Sequence, residues 1–135
     1  MKTMLGLVMP ALLLLAGAVQ AQTTYAVNSR SNIQYVEHDG VKLTGDLYAP
    51  RGLDKAPVLI AAHGGGWQAG NPATYRYWGP FLAKQGVAVF AIRYRLSKPG
   101  SKTYPEAVYD VKAAVQFVRA NATQLGVDPD RIGMM

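Results

Sequence analysis

Two short apolar runs without alternation limit the fold more than any other feature of the chain: Val58-Leu59-Ile60-Ala61-Ala62 and Val87-Ala88-Val89-Phe90-Ala91-Ile92. A strand with one face in water alternates apolar and polar residues, whereas a run that is apolar throughout suits a strand covered on both faces. Between the two runs, residues 75–85 contain a helix whose start is obscured by Gly79-Pro80 and whose end is capped by Gly86. Strand, helix and strand in that order make a right-handed βαβ unit, so the predicted class is α/β.

Upstream, Ile33-Gln34-Tyr35-Val36-Glu37 and Leu43-Thr44-Gly45-Asp46-Leu47-Tyr48 alternate and are separated by His38-Asp39-Gly40. Asp-Gly is a strong hairpin signal, so an antiparallel pair should open the fold, with His38 exposed in its turn. Downstream, Thr103-x-x-Glu106 is a capping-box pattern for a helix with Ala107, Val111, Ala114, Val115, Val118 and Ala122 on its apolar face. Gly126 ends that helix, and Arg131-Ile132-Gly133-Met134-Met135 begins a further strand.

The chemistry is carried by His63-Gly64-Gly65-Gly66-Trp67, directly after the first apolar run. Three glycines let a backbone turn sharply and approach a ligand with no Cβ in the way, leaving unpaired N–H donors. Donors aimed at a carbonyl oxygen that gains negative charge stabilise acyl-transfer transition states. The stretch resembles the oxyanion loop of α/β-hydrolase esterases, the group that includes hormone-sensitive-lipase-like and feruloyl or acetyl carbohydrate esterases. Tyr94-Arg95-Leu96, Tyr104-Pro105-Glu106-Ala107 and Gly126-Val127-Asp128-Pro129-Asp130-Arg131-Ile132-Gly133 agree with it in order.

The resemblance implies the amino-terminal part of an α/β-hydrolase fold: an antiparallel opening hairpin and then parallel βαβ units, truncated before the G-x-S-x-G nucleophile elbow. It implies that Gly65 and Gly66 supply two oxyanion donors, the third coming from the residue after a serine beyond Met135. His63 and Gly64 would shape the loop, because the triad histidine of this fold follows the nucleophile in chain order. Trp67 either lines the substrate pocket or packs the loop on the sheet, with Tyr75, Tyr77 and Trp78 close in sequence. Arg95 and Asp110 resemble a structural ion pair bracing the segment after the strand against the next helix. No member of the triad is present, so these 135 residues alone should be inactive.

Other functions fit less well. Gly64-x-Gly66-x-x-Ala69 loosely matches a dinucleotide fingerprint, with Arg93 conceivable on a 2′-phosphate, but that motif needs a helix opening within the glycines and Gly70-Asn71-Pro72 argues for a loop. The formal charge of +6 invites a nucleic-acid reading, yet the basic residues are scattered without a run. The absence of cysteine excludes a disulfide framework, a thiolate nucleophile and a lipobox within the sequence, and neither carboxylates nor histidines are spaced for a metal. No cofactor is expected.

Residues 1–21 read as a signal peptide: Lys2, an apolar core, and Val19-Gln20-Ala21 as the cleavage site. A spanning helix needs about 20 apolar residues, more than this Pro10-interrupted run offers, so no stable membrane anchor is expected. Residues 22–32 then form a flexible lead-in and 33–135 a partial hydrolase domain. The expectation is a periplasmic or secreted carboxylic-ester hydrolase acting on a small acyl or carbohydrate-linked ester. The alternatives are a non-catalytic binding protein of the same fold and a serine peptidase of that fold.

Overall fold

The computed structural model describes residues 23–135; the leader and its cleavage site fall outside the described residues. Five strands form one sheet in the order β1-β2-β4-β3-β5: β1 Val27–His38, β2 Val41–Pro50, β3 Ala56–Ala62, β4 Ala88–Ile92 and β5 Val127–Met134. A single 3-10 turn, Pro72–Tyr75, and helix α1, Trp78–Lys84, join β3 to β4. Helix α2, Glu106–Ala120, and the short α3, Ala122–Leu125, lie between β4 and β5.

The opening pair is a two-residue hairpin. His38 faces Val41 across Asp39 and Gly40, whose φ values of 49° and 78° are the two left-handed positions of a type I′ turn. Its first strand starts at Val27, so residues 27–32, read from sequence as part of a flexible lead-in, are strand. They are mostly exposed, and their polar side chains pair along the edge of the sheet without the alternation that marks a half-buried strand.

The two apolar runs sit where their composition demands. All five residues of β4 are buried, and β4 lies parallel to β3 with Val58 opposite Ala88 and Ala62 opposite Ile92. Successive side chains point to opposite faces. Ala88, Phe90 and Ile92 join Val58, Ile60 and Leu47 in the larger core, where Ala114 and Val118 of α2 cover them. Val89 and Ala91 join Ala61 and Tyr75 in a smaller cluster, packed by Leu82 of α1 and by Tyr48. A side chain such as Val118, wholly removed from water, contributes roughly 1.5–3 kcal/mol.

Three boundaries differ from the sequence reading. The capping box does not form: Pro105 takes the cap position of α2, and the Thr103 hydroxyl donates instead to the Arg95 carbonyl at 3.1 Å. The helix ends at Ala120, leaving Ala122 and the left-handed Gly126 (φ 72°) to α3. The last strand begins at Val127, four residues before Arg131, with an irregular register between Ala56 and Val58 of its partner.

Candidate functional site

The glycine loop leaves the carboxyl end of β3, the end of a parallel sheet where α/β proteins place their ligands. Two tyrosine hydroxyls fasten its root. Tyr75 donates to the Ala62 carbonyl at 3.0 Å, and Tyr94, two residues past β4, donates to the His63 carbonyl. Burial raises the pKa of both phenols, so both stay protonated donors at neutral pH. The His63 ring is 3% exposed and stacks on Tyr94 with centroids 4.5 Å apart. Its Nδ1 donates to the Gly64 carbonyl at 3.0 Å, which sets the tautomer and leaves His63 as a brace of the loop.

Beyond His63 the chain makes a tight turn, with the Gly65 carbonyl accepting from the N–H groups of Gln68 (3.1 Å) and Ala69 (3.2 Å). Gly65 has φ +128°, and a Cβ there would lie 2.1 Å from the Ala69 oxygen. Gly66 follows at φ +61°, with nothing within 4 Å of the Cβ it lacks. Gly64 has neither a positive φ nor a crowded Cβ direction, so no steric demand for glycine falls on the residue read as loop-shaping. That demand falls on Gly65 and also on Gly70, read from the sequence only as part of the Gly70-Asn71-Pro72 loop: at φ +107° its Cβ would meet His63 Nδ1 at 2.3 Å. Among the described residues the N–H groups of Gly65 and Gly66 donate to no protein acceptor.

Trp67 is itself left-handed (φ 67°) and 51% exposed, with its ring edge-on to Tyr94 at 6.2 Å. It touches the loop's support and also lines the open hollows beside the glycines. Tyr75 is buried beneath the loop, while Tyr77 and Trp78 form an exposed aromatic group with Phe81 and line none of these hollows.

Arg95 and Asp110 meet in two-pronged contact. Asp110 has no exposure; it accepts from Arg95 Nη2 at 2.7 Å, from Nε at 3.0 Å and from the Arg95 N–H at 2.9 Å. Hydrogen bonding to Asp110 holds the guanidinium above its usual pKa, so Arg95 stays charged at neutral pH. His38 belongs to this group instead of standing exposed in the hairpin turn: it is half-buried, with Nε2 3.6 Å from Asp110 Oδ1. Together they tie the hairpin and α2 to the segment after β4 that supports the glycine loop.

The end of β5 reaches the same place. The Met135 carbonyl accepts from the Ala62 N–H at 3.0 Å, so the chain leaves β5 level with the root of the glycine loop. A hollow of about 280 Å³ between them is lined by Gly65, Gly66, Trp67, Tyr94, Val111 and Met134. No helix opens within the glycines, the first α-helix starting at Trp78, which removes the dinucleotide geometry. Among the described residues no three His, Cys, Asp or Glu side chains gather as metal ligands would, and no helix is long and apolar enough to cross a membrane.

Comparison with known proteins agrees with this geometry. The BD-FAE family model matches residues 45–135. The chain is 31% identical to the isoprenylcysteine alpha-carbonyl methylesterase of Arabidopsis thaliana, an alignment covering 100% of this chain and 31% of that protein. It is 34% identical to gut esterase 1 of Caenorhabditis elegans over 67% of this chain and 18% of that one. The carboxylesterase NlhH of Mycobacterium tuberculosis is 35% identical over 60% of this chain and 25% of its own length. The chain thus spans a third or less of the length of these relatives. Among solved structures, a thermophilic esterase from Thermogutta terrifontis superposes with a TM-score of 0.69 at 30% identity, covering 84% of this chain and 40% of that one. A bacterial heroin esterase gives 0.66 at 28% identity, over 87% of this chain and 36% of its own. With its mixed sheet, its glycine loop and these likenesses, the chain belongs to the BD-FAE family and carries part of the α/β-hydrolase fold of the esterases.

Proposed function

We propose that this chain forms the oxyanion-binding part of an exported serine carboxylesterase, with Gly65 and Gly66 donating to the oxygen of the tetrahedral intermediate. The observation that carries this reading is a run of N–H groups from Gly64 to Trp67, Gly65 and Gly66 among them, that meet no protein acceptor in a braced loop lining a hollow that the end of β5 also borders. Preorganised donors of this kind cost no reorganisation when charge develops, which is why one of them typically contributes about 2.7–4 kcal/mol to catalysis. The nucleophilic serine, in a G-x-S-x-G elbow, would follow β5; a histidine base and an acidic orienter would come later in the chain. The leader at residues 1–21 favours a periplasmic or secreted enzyme. Its substrate would be a small acyl or carbohydrate-linked ester; the ester hydrolases named among its relatives support the ester bond as the point of attack.

The test is steady-state hydrolysis of para-nitrophenyl acetate by the full-length protein, followed by inactivation with a fluorophosphonate and mass mapping of the adduct. Turnover abolished by one adduct on a serine downstream of Met135 is expected. A well-folded protein that binds esters without turnover would place it with the non-catalytic members of the fold.

A further inference from the structure

The segment after β4 carries two lysines, Lys98 and Lys102, that enter no ion pair among the described residues. Lys98 and Lys102 flank a tight turn in which Lys98 and Ser101 exchange backbone hydrogen bonds of 2.9 Å in both directions. The turn is fastened on both sides. The Ser97 N–H donates to the Trp67 carbonyl at 2.7 Å, and the Thr103 N–H donates to Ser97 Oγ at 3.0 Å. The first of these bonds joins the lysine turn to the glycine loop, so the lysines are held at a set place relative to the candidate oxyanion donors.

Between turn and loop lies an open cavity of about 890 Å³, bounded by Gly66, Trp67, Lys98, Lys102 and Tyr104. It shares Gly66 and Trp67 with the smaller hollow beside the donors. No carboxylate lines either space, nor the adjoining one that holds Arg93 and Arg95. The acidic groups nearby serve Arg95: Asp110 binds it directly, and Glu106 and Asp39 act on the same guanidinium. Among the described residues neither lysine forms an ion pair. A cleft lined by one sign of charge against low-dielectric walls raises the local concentration of oppositely charged solutes.

We infer that Lys98 and Lys102 make this cavity a subsite for anionic esters: molecules whose carboxylate, phosphate or sulfate projects past Gly66, away from the reacting carbonyl. The inference rests on the esterase reading above. Lysine ammonium groups act as point charges without a fixed fork, so they select for charge and leave the headgroup open. Trp67 and Tyr104, 51% and 77% exposed, offer ring faces on which the body of such a substrate can lie.

The full-length protein is assayed on two matched pairs: para-nitrophenyl hexanoate against mono-para-nitrophenyl adipate for charge on the acyl side, and phenyl acetate against para-acetoxybenzoate for charge on the alcohol side. In at least one pair, kcat/KM should favour the anion by about tenfold, a preference that salt erodes. The double variant Lys98→Gln/Lys102→Gln should bring that ratio close to one, and Lys98→Arg/Lys102→Arg should keep it. A preference for the neutral ester in both pairs, or a ratio that survives in the glutamine variant, would overturn the inference. Calorimetric binding of benzoate against benzamide separates it from the esterase reading. Lysine-dependent benzoate binding without turnover of any ester upholds the subsite and overturns the esterase; turnover without lysine-dependent binding overturns the subsite alone.

Discussion

Alanine at Gly65 and alanine at Gly66, made one at a time in the full-length protein, should behave differently although the two residues are adjacent. At Gly65 the new Cβ lies 2.1 Å from the Ala69 oxygen and 2.7 Å from its carbonyl carbon, both main-chain atoms. Reaching even 3.0 Å requires a separation of about 0.9 Å, which the turn cannot give without moving the Gly65 amide or breaking the bonds from Gln68 and Ala69. A misplacement near 1 Å in a catalytic group costs about 100-fold in rate, in line with the roughly 2.7–4 kcal/mol attributed to one oxyanion donor. At Gly66 the Cβ meets nothing within 4 Å, and the following residue, Trp67, already holds a similar φ with a full side chain. Alanine there pays only the left-handed conformation, about 1–2 kcal/mol, and keeps its N–H. Hydrolysis of para-nitrophenyl acetate, measured beside thermal unfolding, should show kcat down 100-fold or more for Gly65→Ala and less than about tenfold for Gly66→Ala. Equal kcat in Gly65→Ala and the unaltered protein would refute the reasoning, as would a larger loss at Gly66.

Three further outcomes follow from the same contacts. Asp110→Ala leaves the Arg95 guanidinium without its partner; because Arg95 remains 21% exposed, the loss should sit near the lower end of the usual range, about 3 kcal/mol in denaturant midpoints, and a loss below 1 kcal/mol would contradict the bracing role. Burial, then Asp110, pushes the Tyr35 phenol well above its usual pKa, so above about pH 10 the unfolded chain gives up a proton that the folded one keeps. Stability should therefore fall as pH rises beyond that point, with a shallower slope in Tyr35→Phe; an unchanged slope would remove Tyr35 from the account. Intact-mass measurement of the exported protein should find Gln22 at the amino terminus, whereas a cytoplasmic product starting at Met1 would exclude the leader.

What was legible in the sequence was what local pattern encodes. The unbroken runs ending at Ala62 and Ile92 announce strands buried on both faces, and Asp39-Gly40 announces the hairpin, because these signals are written into neighbouring residues. What escaped depends on contacts distant in sequence. Nothing local marks residues 27–32 as strand, since their pairing along the edge leaves both pattern and burial weak. Thr103 carries a capping signature, but its hydroxyl and N–H are engaged by Arg95 and Ser97. Gly70 looks like part of an ordinary Gly-Asn-Pro turn until the His63 ring is seen against it. Tyr94 and Tyr75 read as aromatic residues near a strand and a helix, while their work is to hold two successive carbonyls at the root of the glycine loop.

The central claim is that the Gly65 and Gly66 amides hold the developing oxyanion. A crystal structure of the full-length protein carrying a covalent phosphonate on its nucleophile tests it directly, because the phosphonyl oxygen stands where the oxyanion would form. The account predicts that oxygen at about 2.7–3.1 Å from both amide nitrogens, with the His63 and Tyr94 rings still stacked. A phosphonyl oxygen held by other donors, with the two glycine amides facing solvent, would contradict it.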